Sequence, residues 1–141
     1  MTQDAAPFTY RAPVRYYEVD QQGVVFNSWY LAYMDEAMTA FIQRDGTSYQ
    51  QLLTSGVDFQ LVHTELDWQD ALRYGDVANV DVALARLGRT SFTVQFAVRV
   101  GERPVATAST VYVVVATDGS GPCPPPPRFL EALGPVRPLR H

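Results

Sequence analysis

The stretch that decides the fold occupies residues 14–31 and reads VRYYEVDQQGVVFNSWYL. Its first part, residues 14–19, is rich in valine and tyrosine and predicts a short β-strand. This strand should end at the turn residues Gln21, Gln22 and Gly23. A helical pattern begins at Asn27 or Ser28, and either side chain can accept a hydrogen bond from the free N–H groups of a first helical turn. The stretch therefore predicts a strand, a tight turn and the start of a helix.

The helix that follows is expected to be long and buried on most sides. Apolar residues recur at helical spacing until the chain approaches Arg44, and the apolar stripe is wide. The stripe consists of Trp29, Tyr30, Leu31, Tyr33, Met34, Ala37, Met38 and Phe41. A second, short helix is predicted over residues 48–53, and Gly56 closes it.

From residue 57 onward the apolar pattern has a period of two, which is typical of strands with one face in a core. Strands are predicted over residues 57–68, 78–84, 91–100 and 105–115, with a hairpin turn at Gly88. Short connections join antiparallel neighbours, so we expect these four strands to form a meander. The pattern predicts an α+β fold in which a curved, five-stranded antiparallel sheet wraps around one long central helix.

The length of 141 residues favours a single domain over residues 1–141. We expect the core to lie within residues 14–116. The tail, residues 117–141, contains a run of four prolines at 124–127 and is expected to act as an extended connector.

The composition excludes several classes of function. A net charge of −4 argues against non-specific binding to nucleic acid or to an anionic membrane. All 11 basic residues are arginines, which excludes a catalytic lysine, and the single cysteine, Cys123, excludes an internal disulfide and a multi-cysteine zinc site. No leader peptide and no membrane-spanning run is recognisable, so a soluble cytoplasmic protein is expected, with no metal and no cofactor.

The candidate site lies in the turn before the long helix. Glu18 and Asp20 are two residues apart, so on an extended chain their carboxylates point to the same side. The helix start beyond them presents free N–H groups and the positive end of the helix dipole. A carboxylate that faces such N–H groups across a small molecule can hydrolyse a polarised carbonyl compound. The alternative is that Asp20 is only a loop acid or a capping residue.

Three motifs in order resemble those of the hotdog-fold acyl-CoA thioesterases. Residues 14–31 are similar to the signature of the 4-hydroxybenzoyl-CoA thioesterase branch, which includes the YbgC-like enzymes. Tyr74-Gly75-Asp76, after residues 68–73, resembles a turn between strands in that family, and Arg89-Thr90-Ser91-Phe92 resembles the start of the strand that follows it. Together the three motifs cover roughly residues 14–116.

The resemblance implies a function and a set of site residues. It implies that Asp20 is the catalytic carboxylate, as general base or as nucleophile, and that the backbone N–H near Asn27 polarises the thioester carbonyl. Gly23, Val25 and Phe26 would help to form this oxyanion and substrate site. The chain would be an acyl-CoA thioesterase acting on a fatty or aromatic acyl-CoA, and a homodimer or homotetramer with sites at the interface between chains.

Several alternatives remain open. Arg86 and Arg89 flank the hairpin turn, where they and Ser91 could bind coenzyme A or the acyl group. Asp35 and Glu36 are helical carboxylates of a kind that a related thioesterase branch uses as base. His63 would be the base of a hotdog dehydratase, and a non-catalytic module that senses acyl-CoA is the other alternative function.

Overall fold

A five-stranded antiparallel sheet forms the body of the computed structural model, which describes residues 6–139. The strands follow the order β1-β3-β4-β5-β2 across the sheet. Their bounds are β1 (Phe8–Pro13), β2 (Val57–Trp68), β3 (Val77–Leu87), β4 (Ser91–Val100) and β5 (Arg103–Ala116). The helices are α1 (Trp29–Ile42), α2 (Tyr49–Thr54) and α3 (Pro127–Leu133).

The long helix α1 lies where the sequence predicts it, with Ser28 as its N-cap residue. Tyr30, Tyr33, Ala37 and Met38 are at most 3% exposed and pack into one hydrophobic cluster with the inward residues of the strands. Every second residue of β4, from Phe92 to Val98, belongs to the same cluster. The predicted architecture, a curved antiparallel sheet around one central helix, is confirmed. The second helix is also confirmed, with Ser48 as its N-cap.

The predicted first strand over residues 14–19 is wrong. The strand at that edge of the sheet is β1, which pairs with Val77–Val82 of β3. Residues Tyr16–Glu18 form one turn of 3₁₀ helix instead, because the Glu18 side chain accepts a hydrogen bond from the Arg15 amide at 2.7 Å. Tyr16 and Tyr17, the β-favouring residues of the pattern, are 76% and 61% exposed.

The predicted meander of four strands holds only for β3, β4 and β5. β2 pairs with β5 and forms the edge of the sheet opposite β1. The link that follows β2, residues 69–76, is anchored on β5, where the amides of Gln69 and Asp70 both donate to the Val105 carbonyl. The link therefore crosses the end of β5 and β4 to reach the start of β3. On this path it contacts the segment that contains Asp20.

The proline-rich tail is not only a connector. Pro126 and Pro127 stand at the start of α3, where proline is compatible with a helix because the first N–H groups lack partners in any case. Phe129, Ala132 and Leu133 of α3 are at most 1% exposed. Arg44, just after α1, donates to the carbonyls of Ala132 and Leu133 at 2.8 and 3.0 Å and so fixes α3 against α1.

The residues after α3 return to the sheet. Residues 134–139, which we call the C-terminal strap, run beside β3: the Arg137 amide donates to the Leu84 carbonyl at 2.8 Å. The Leu139 amide donates to the Gln95 side chain at 2.7 Å. No helix within residues 6–139 is long and apolar enough to cross a membrane.

Candidate active site

Asp20 opens the tight turn that precedes α1. The Gly23 amide donates to the Asp20 carbonyl at 2.9 Å, and the Gln22 amide donates to Asp20 Oδ1 at 2.8 Å. Gly23 has a φ of +78°, which glycine adopts without strain. The carboxylate is half-buried, and its Oδ2 has no hydrogen-bond partner among residues 6–139. One oxygen is thus held in place and the other is open to a water molecule or a thioester.

The far side of the turn is fixed to the link after β2. The Asp20 amide donates to the Val24 carbonyl at 2.9 Å, and the Val25 amide donates to the Leu72 carbonyl at 2.8 Å. The Leu72 amide in turn donates to the hydroxyl of Tyr30 on α1, at 3.1 Å. A single tyrosine hydroxyl therefore connects the helix, the link and the turn that carries Asp20.

Glu18 has a structural position that differs from that of Asp20. Its side chain is 4% exposed and accepts hydrogen bonds from the Tyr33 hydroxyl and the Arg15 amide, both at 2.7 Å. Its carbonyl accepts from the Phe26 amide at 3.0 Å. The expectation of an extended chain with both carboxylates on one side is wrong, because the 3₁₀ turn buries Glu18 whereas Asp20 is only half-buried.

The start of α1 lies directly after this turn. The amides of Gly23, Val25 and Phe26 already have carbonyl partners, as do those of Trp29 and Tyr30. In contrast, the amides of Asn27 and Ser28 have no acceptor within residues 6–139, and the Ser28 side chain makes no capping bond. Of the predicted oxyanion residues, Asn27 is thus the one whose N–H is free to bind a carbonyl oxygen. The side chain of Phe26 is 53% exposed beside it.

Sequence reasoning missed the roles of Tyr30 and Tyr33, which the helical pattern places only in the core. Both rings are buried, but each hydroxyl holds part of the site: Tyr30 binds Leu72 and Tyr33 binds Glu18. The available signal was that a buried tyrosine hydroxyl needs a hydrogen-bond partner. Burial and the bond to Glu18 raise the pKa of Tyr33 above its usual value near 10.

The alternative acids and bases lie in separate places. Glu36 accepts a hydrogen bond from the Tyr10 hydroxyl at 2.8 Å, and Asp35 is exposed on α1. His63 lies on the edge strand β2, 3.4 Å from Glu65 Oε1, with 60% of its side chain exposed. Cys123 is partly buried after β5. Residues 6–139 contain no group of three histidine, cysteine, aspartate or glutamate residues that could hold a metal ion.

Arg86, Arg89 and Ser91 lie at the opposite end of the sheet from Asp20. The Asp20 turn contacts the link that precedes β3, whereas the three residues surround the hairpin that follows β3. β3 has 11 residues, which at a rise of about 3.3 Å per residue gives a separation on the order of 30 Å. One chain alone does not bring these residues and Asp20 together.

The family of the chain follows from comparison with known proteins. The family model of the thioesterase-like superfamily matches residues 14–133. A protein of Aquifex aeolicus named "Putative esterase" is 34% identical over 109 residues, 77% of this chain and 85% of its own. A 1,4-dihydroxy-2-naphthoyl-CoA hydrolase of Synechococcus elongatus is 27% identical over 130 residues, 91% of this chain and 96% of its own.

Solved structures agree with this assignment. The crystal structure of a hypothetical protein from Aquifex aeolicus superposes with a TM-score of 0.85 at 32% identity, covering 91% of this chain and all of that one. The match to the narrower 4-hydroxybenzoyl-CoA thioesterase and YbgC-like branch stays a prediction. The sheet around a central helix, the superfamily match and the named relatives lead to one conclusion: the chain belongs to the thioesterase-like superfamily and is a hotdog-fold thioester hydrolase.

Proposed function

We propose that the chain hydrolyses an acyl-CoA thioester to the free acid and coenzyme A, with Asp20 as the acting carboxylate. The observation that carries this proposal is the state of the Asp20 carboxylate: Oδ1 is held by the Gln22 amide, and Oδ2 is open. The turn leads directly into the start of α1, where the Asn27 amide has no partner among residues 6–139. A carboxylate held before the turn and a free N–H at the start of the helix that follows it are the groups that acyl transfer needs.

Two reaction routes to thioester hydrolysis are possible with these groups. In the first, Asp20 takes a proton from water, the water oxygen attacks the carbonyl carbon, and the C–S bond breaks to release the thiolate. In the second, Asp20 itself attacks the carbonyl, the thiolate leaves, and water hydrolyses the resulting anhydride. In both routes the Asn27 amide donates to the carbonyl oxygen as negative charge develops there, and the positive end of the α1 dipole supports it.

An aromatic acyl group is the better-supported substrate class. Aromatic side chains lie on the elements that flank the turn. Tyr17 and Trp29 lie 5.5 Å apart between ring centroids, and Trp68, 47% exposed, lies 5.9 Å from Tyr30 on α1. The relative from Synechococcus elongatus is named for an aromatic acyl-CoA. A fatty acyl chain is the other candidate, and an acyl-CoA panel separates the two.

We also propose a homodimer that forms through β2. This strand has a hydrogen-bonded neighbour on one side only. It carries Leu61, Val62 and Trp68, which are 50%, 56% and 47% exposed. An unpaired strand edge with exposed apolar residues favours pairing with a second copy. A homotetramer of two such dimers and the cytoplasmic location both stay predictions from the sequence.

Hydrolysis is tested by measuring thiol release from acetyl-, octanoyl-, palmitoyl-, benzoyl- and phenylacetyl-CoA. We expect Asp20→Asn to fold normally, as judged by circular dichroism, and to lose at least about a hundredfold in kcat, because its amide can neither take a proton nor attack a carbonyl. Asp35→Asn and His63→Ala are the matched controls for the helical carboxylate and for the dehydratase base, and both should keep their activity. Undiminished hydrolysis by Asp20→Asn would refute the role of Asp20. Tight binding of an acyl-CoA without hydrolysis by the unmodified protein would favour the sensing module.

A further inference from the structure

The link between β2 and β3, residues 69–76, supports the turn that precedes α1. Its Leu72 carbonyl accepts a hydrogen bond from the Val25 amide at 2.8 Å. Next to this bond, Val24 and Arg73 form an isolated antiparallel β-bridge. The position of the turn therefore depends on the position of the link.

Two carboxylates of the link converge on one arginine of β5. Nη1 of Arg103 donates to Oδ2 of Asp70, and Nη2 of Arg103 lies 3.8 Å from Oδ2 of Asp76. Asp70 lies near the start of the link, and Asp76 is its last residue. A planar guanidinium group can contact two carboxylates through separate nitrogens, whereas an ammonium group is a single point charge. Arg103 therefore joins both ends of the link to the first residue of β5.

The same two carboxylates also hold the backbone of the link. Oδ1 of Asp70 accepts a hydrogen bond from the Ala71 amide, and Oδ2 of Asp76 accepts one from the Arg73 amide, both at 2.8 Å. Leu72, the residue that supports the turn, lies directly between these two amides. A shift of the two carboxylates would therefore move the backbone on both sides of Leu72.

These ion pairs are accessible to solvent, so we expect them to contribute little to the stability of the fold. The side chains of Arg103 and Asp70 are 40% and 38% exposed, and that of Asp76 is 25% exposed. Water and salt screen pairs that are exposed to this degree. The fully buried Leu72 side chain anchors the link independently of them. The pairs can therefore set the position of the link without being required for folding.

We propose that Arg103 is a positioning residue for the hydrolysis: it acts through Asp70 and Asp76 on the link, and through the link on the turn that carries Asp20. This inference rests on the proposed function, which assigns the chemistry to Asp20. Acyl transfer is sensitive to such a shift, because a displacement of about 1 Å between reacting groups can cost on the order of a hundredfold in rate. Loss of the Arg103 charge should therefore slow the chemical step and leave substrate binding unchanged.

Steady-state kinetics test this role with the most rapidly hydrolysed of the five acyl-CoA thioesters named above. We expect Arg103→Met, which removes the charge and keeps a long side chain, to lower kcat roughly tenfold and to leave KM unchanged. Arg99→Met is the matched control: it removes the ion pair with Asp81 on the sheet and should change neither constant. A higher KM with an unchanged kcat would show that Arg103 binds the substrate itself and would overturn the positioning role, as would no change in either constant.

A double variant tests whether Arg103 acts through the link. Asp70→Asn keeps an oxygen for the Ala71 amide but removes the charge that Arg103 contacts. We expect Asp70→Asn alone to lower kcat severalfold. The combination of Arg103→Met and Asp70→Asn should have about the same kcat as Arg103→Met alone, because both substitutions break one connection. Losses that multiply in the double variant would mean that the two residues act independently and would overturn the route through the link.

Hydrogen exchange separates this proposal from the proposed function, because the measurement needs no hydrolysis. The amides of Val25 and Leu72 are the donors that connect the turn, the link and the Tyr30 hydroxyl. We expect Arg103→Met to speed their exchange at least about fivefold in NMR measurements, whereas Arg99→Met leaves it unchanged. Unchanged exchange in Arg103→Met would overturn the positioning role even if hydrolysis is observed. Faster exchange, in a protein that hydrolyses none of the thioesters, would overturn the proposed function and leave the connection from Arg103 to the turn intact.

Discussion

The Tyr33 hydroxyl on α1 donates a hydrogen bond of 2.7 Å to Oε1 of Glu18, two residues before Asp20. Both side chains are buried, and the same carboxylate oxygen also accepts from the Arg15 amide. The carbonyl of Glu18 accepts from the Phe26 amide on the other side of the turn. Glu18 therefore holds both sides of the Asp20 turn and connects them to the central helix. Under the proposed function, Glu18 is therefore a positioning residue and not a second catalytic acid.

Removal of this hydroxyl should destabilise the protein. We expect Tyr33→Phe to lower the free energy of unfolding by about 1–3 kcal/mol, because the buried Glu18 carboxylate loses one of its donors. Urea denaturation measures the change. The matched control is Tyr17→Phe, whose hydroxyl accepts from exposed Arg15 and whose ring is 61% exposed; it should change stability by less than about 0.5 kcal/mol. Equal effects of the two substitutions would contradict the role of the Tyr33–Glu18 bond.

The same pair predicts a loss of stability at alkaline pH. Burial and the bond to Glu18 raise the pKa of Tyr33 in the folded state above its usual value near 10. The contribution of Tyr33 is therefore fully present below pH about 10 and is lost as the pH rises from there through the higher folded-state pKa. Denaturation curves measured between pH 8 and 11 should show a steeper decline for the unmodified protein than for Tyr33→Phe. Parallel curves would contradict this assignment.

The conformation of Gly23 should matter for hydrolysis as well as for stability. Its φ is +78°, and a Cβ atom added there would meet no atom within 4 Å, so alanine is opposed by backbone strain alone. Gly119 has a φ of +85° and equally open surroundings, but it lies in the turn after β5. We expect Gly23→Ala and Gly119→Ala each to cost about 1 kcal/mol of stability in denaturant titrations. Only Gly23→Ala should also lower kcat, because it distorts the turn that carries Asp20. A similar kcat for the two variants would argue against that turn as the catalytic one.

The exposed edge of β2 gives a prediction about assembly. Val62 is the extra residue of a bulge in β2 and is 56% exposed. We expect Val62→Glu to convert the dimer to a monomer in light scattering after size-exclusion chromatography, because two carboxylates would meet across the two-fold axis. Leu130→Glu, on exposed α3, is the control and should leave the dimer intact. A dimer that survives Val62→Glu, or that Leu130→Glu disrupts, would locate the interface elsewhere.

The central helix and the long strands could be predicted from the sequence because their patterns are local. The apolar stripe of α1 repeats at helical spacing for several turns, and the alternation in β4 is regular along the strand. The partner of β2 could not be predicted in this way. Its connection to β3 is short enough for a hairpin, but its pairing with β5 depends on contacts between residues far apart in the sequence.

Two other features of the fold could not be predicted from the sequence, for different reasons. The 3₁₀ turn at Tyr16–Glu18 depends on the hydrogen bonds that the Glu18 carboxylate accepts, which the sequence does not show. The β-favouring residues in and around the turn suggest a strand instead. The helix α3 begins at the last prolines of a run that favours an extended chain, and it is stable because Phe129 and Leu133 reach the core. For the candidate site, the position of Asp20 before a helix was predictable, whereas the hydroxyls of Tyr30 and Tyr33 that hold it were not.

The chain of bonds from Tyr30 through Leu72 to Val25 has a consequence for how substrate binds. The helix, the link after β2 and the Asp20 turn are tied together before any ligand arrives, through contacts of 3.1 and 2.8 Å. Such a site is preorganised, so none of the affinity for the thioester is lost to ordering a loop around it. Under the proposed function, selectivity among acyl groups would then depend on the side chains around this rigid turn, and adaptation to a new substrate would occur by their replacement while the turn itself stays unchanged.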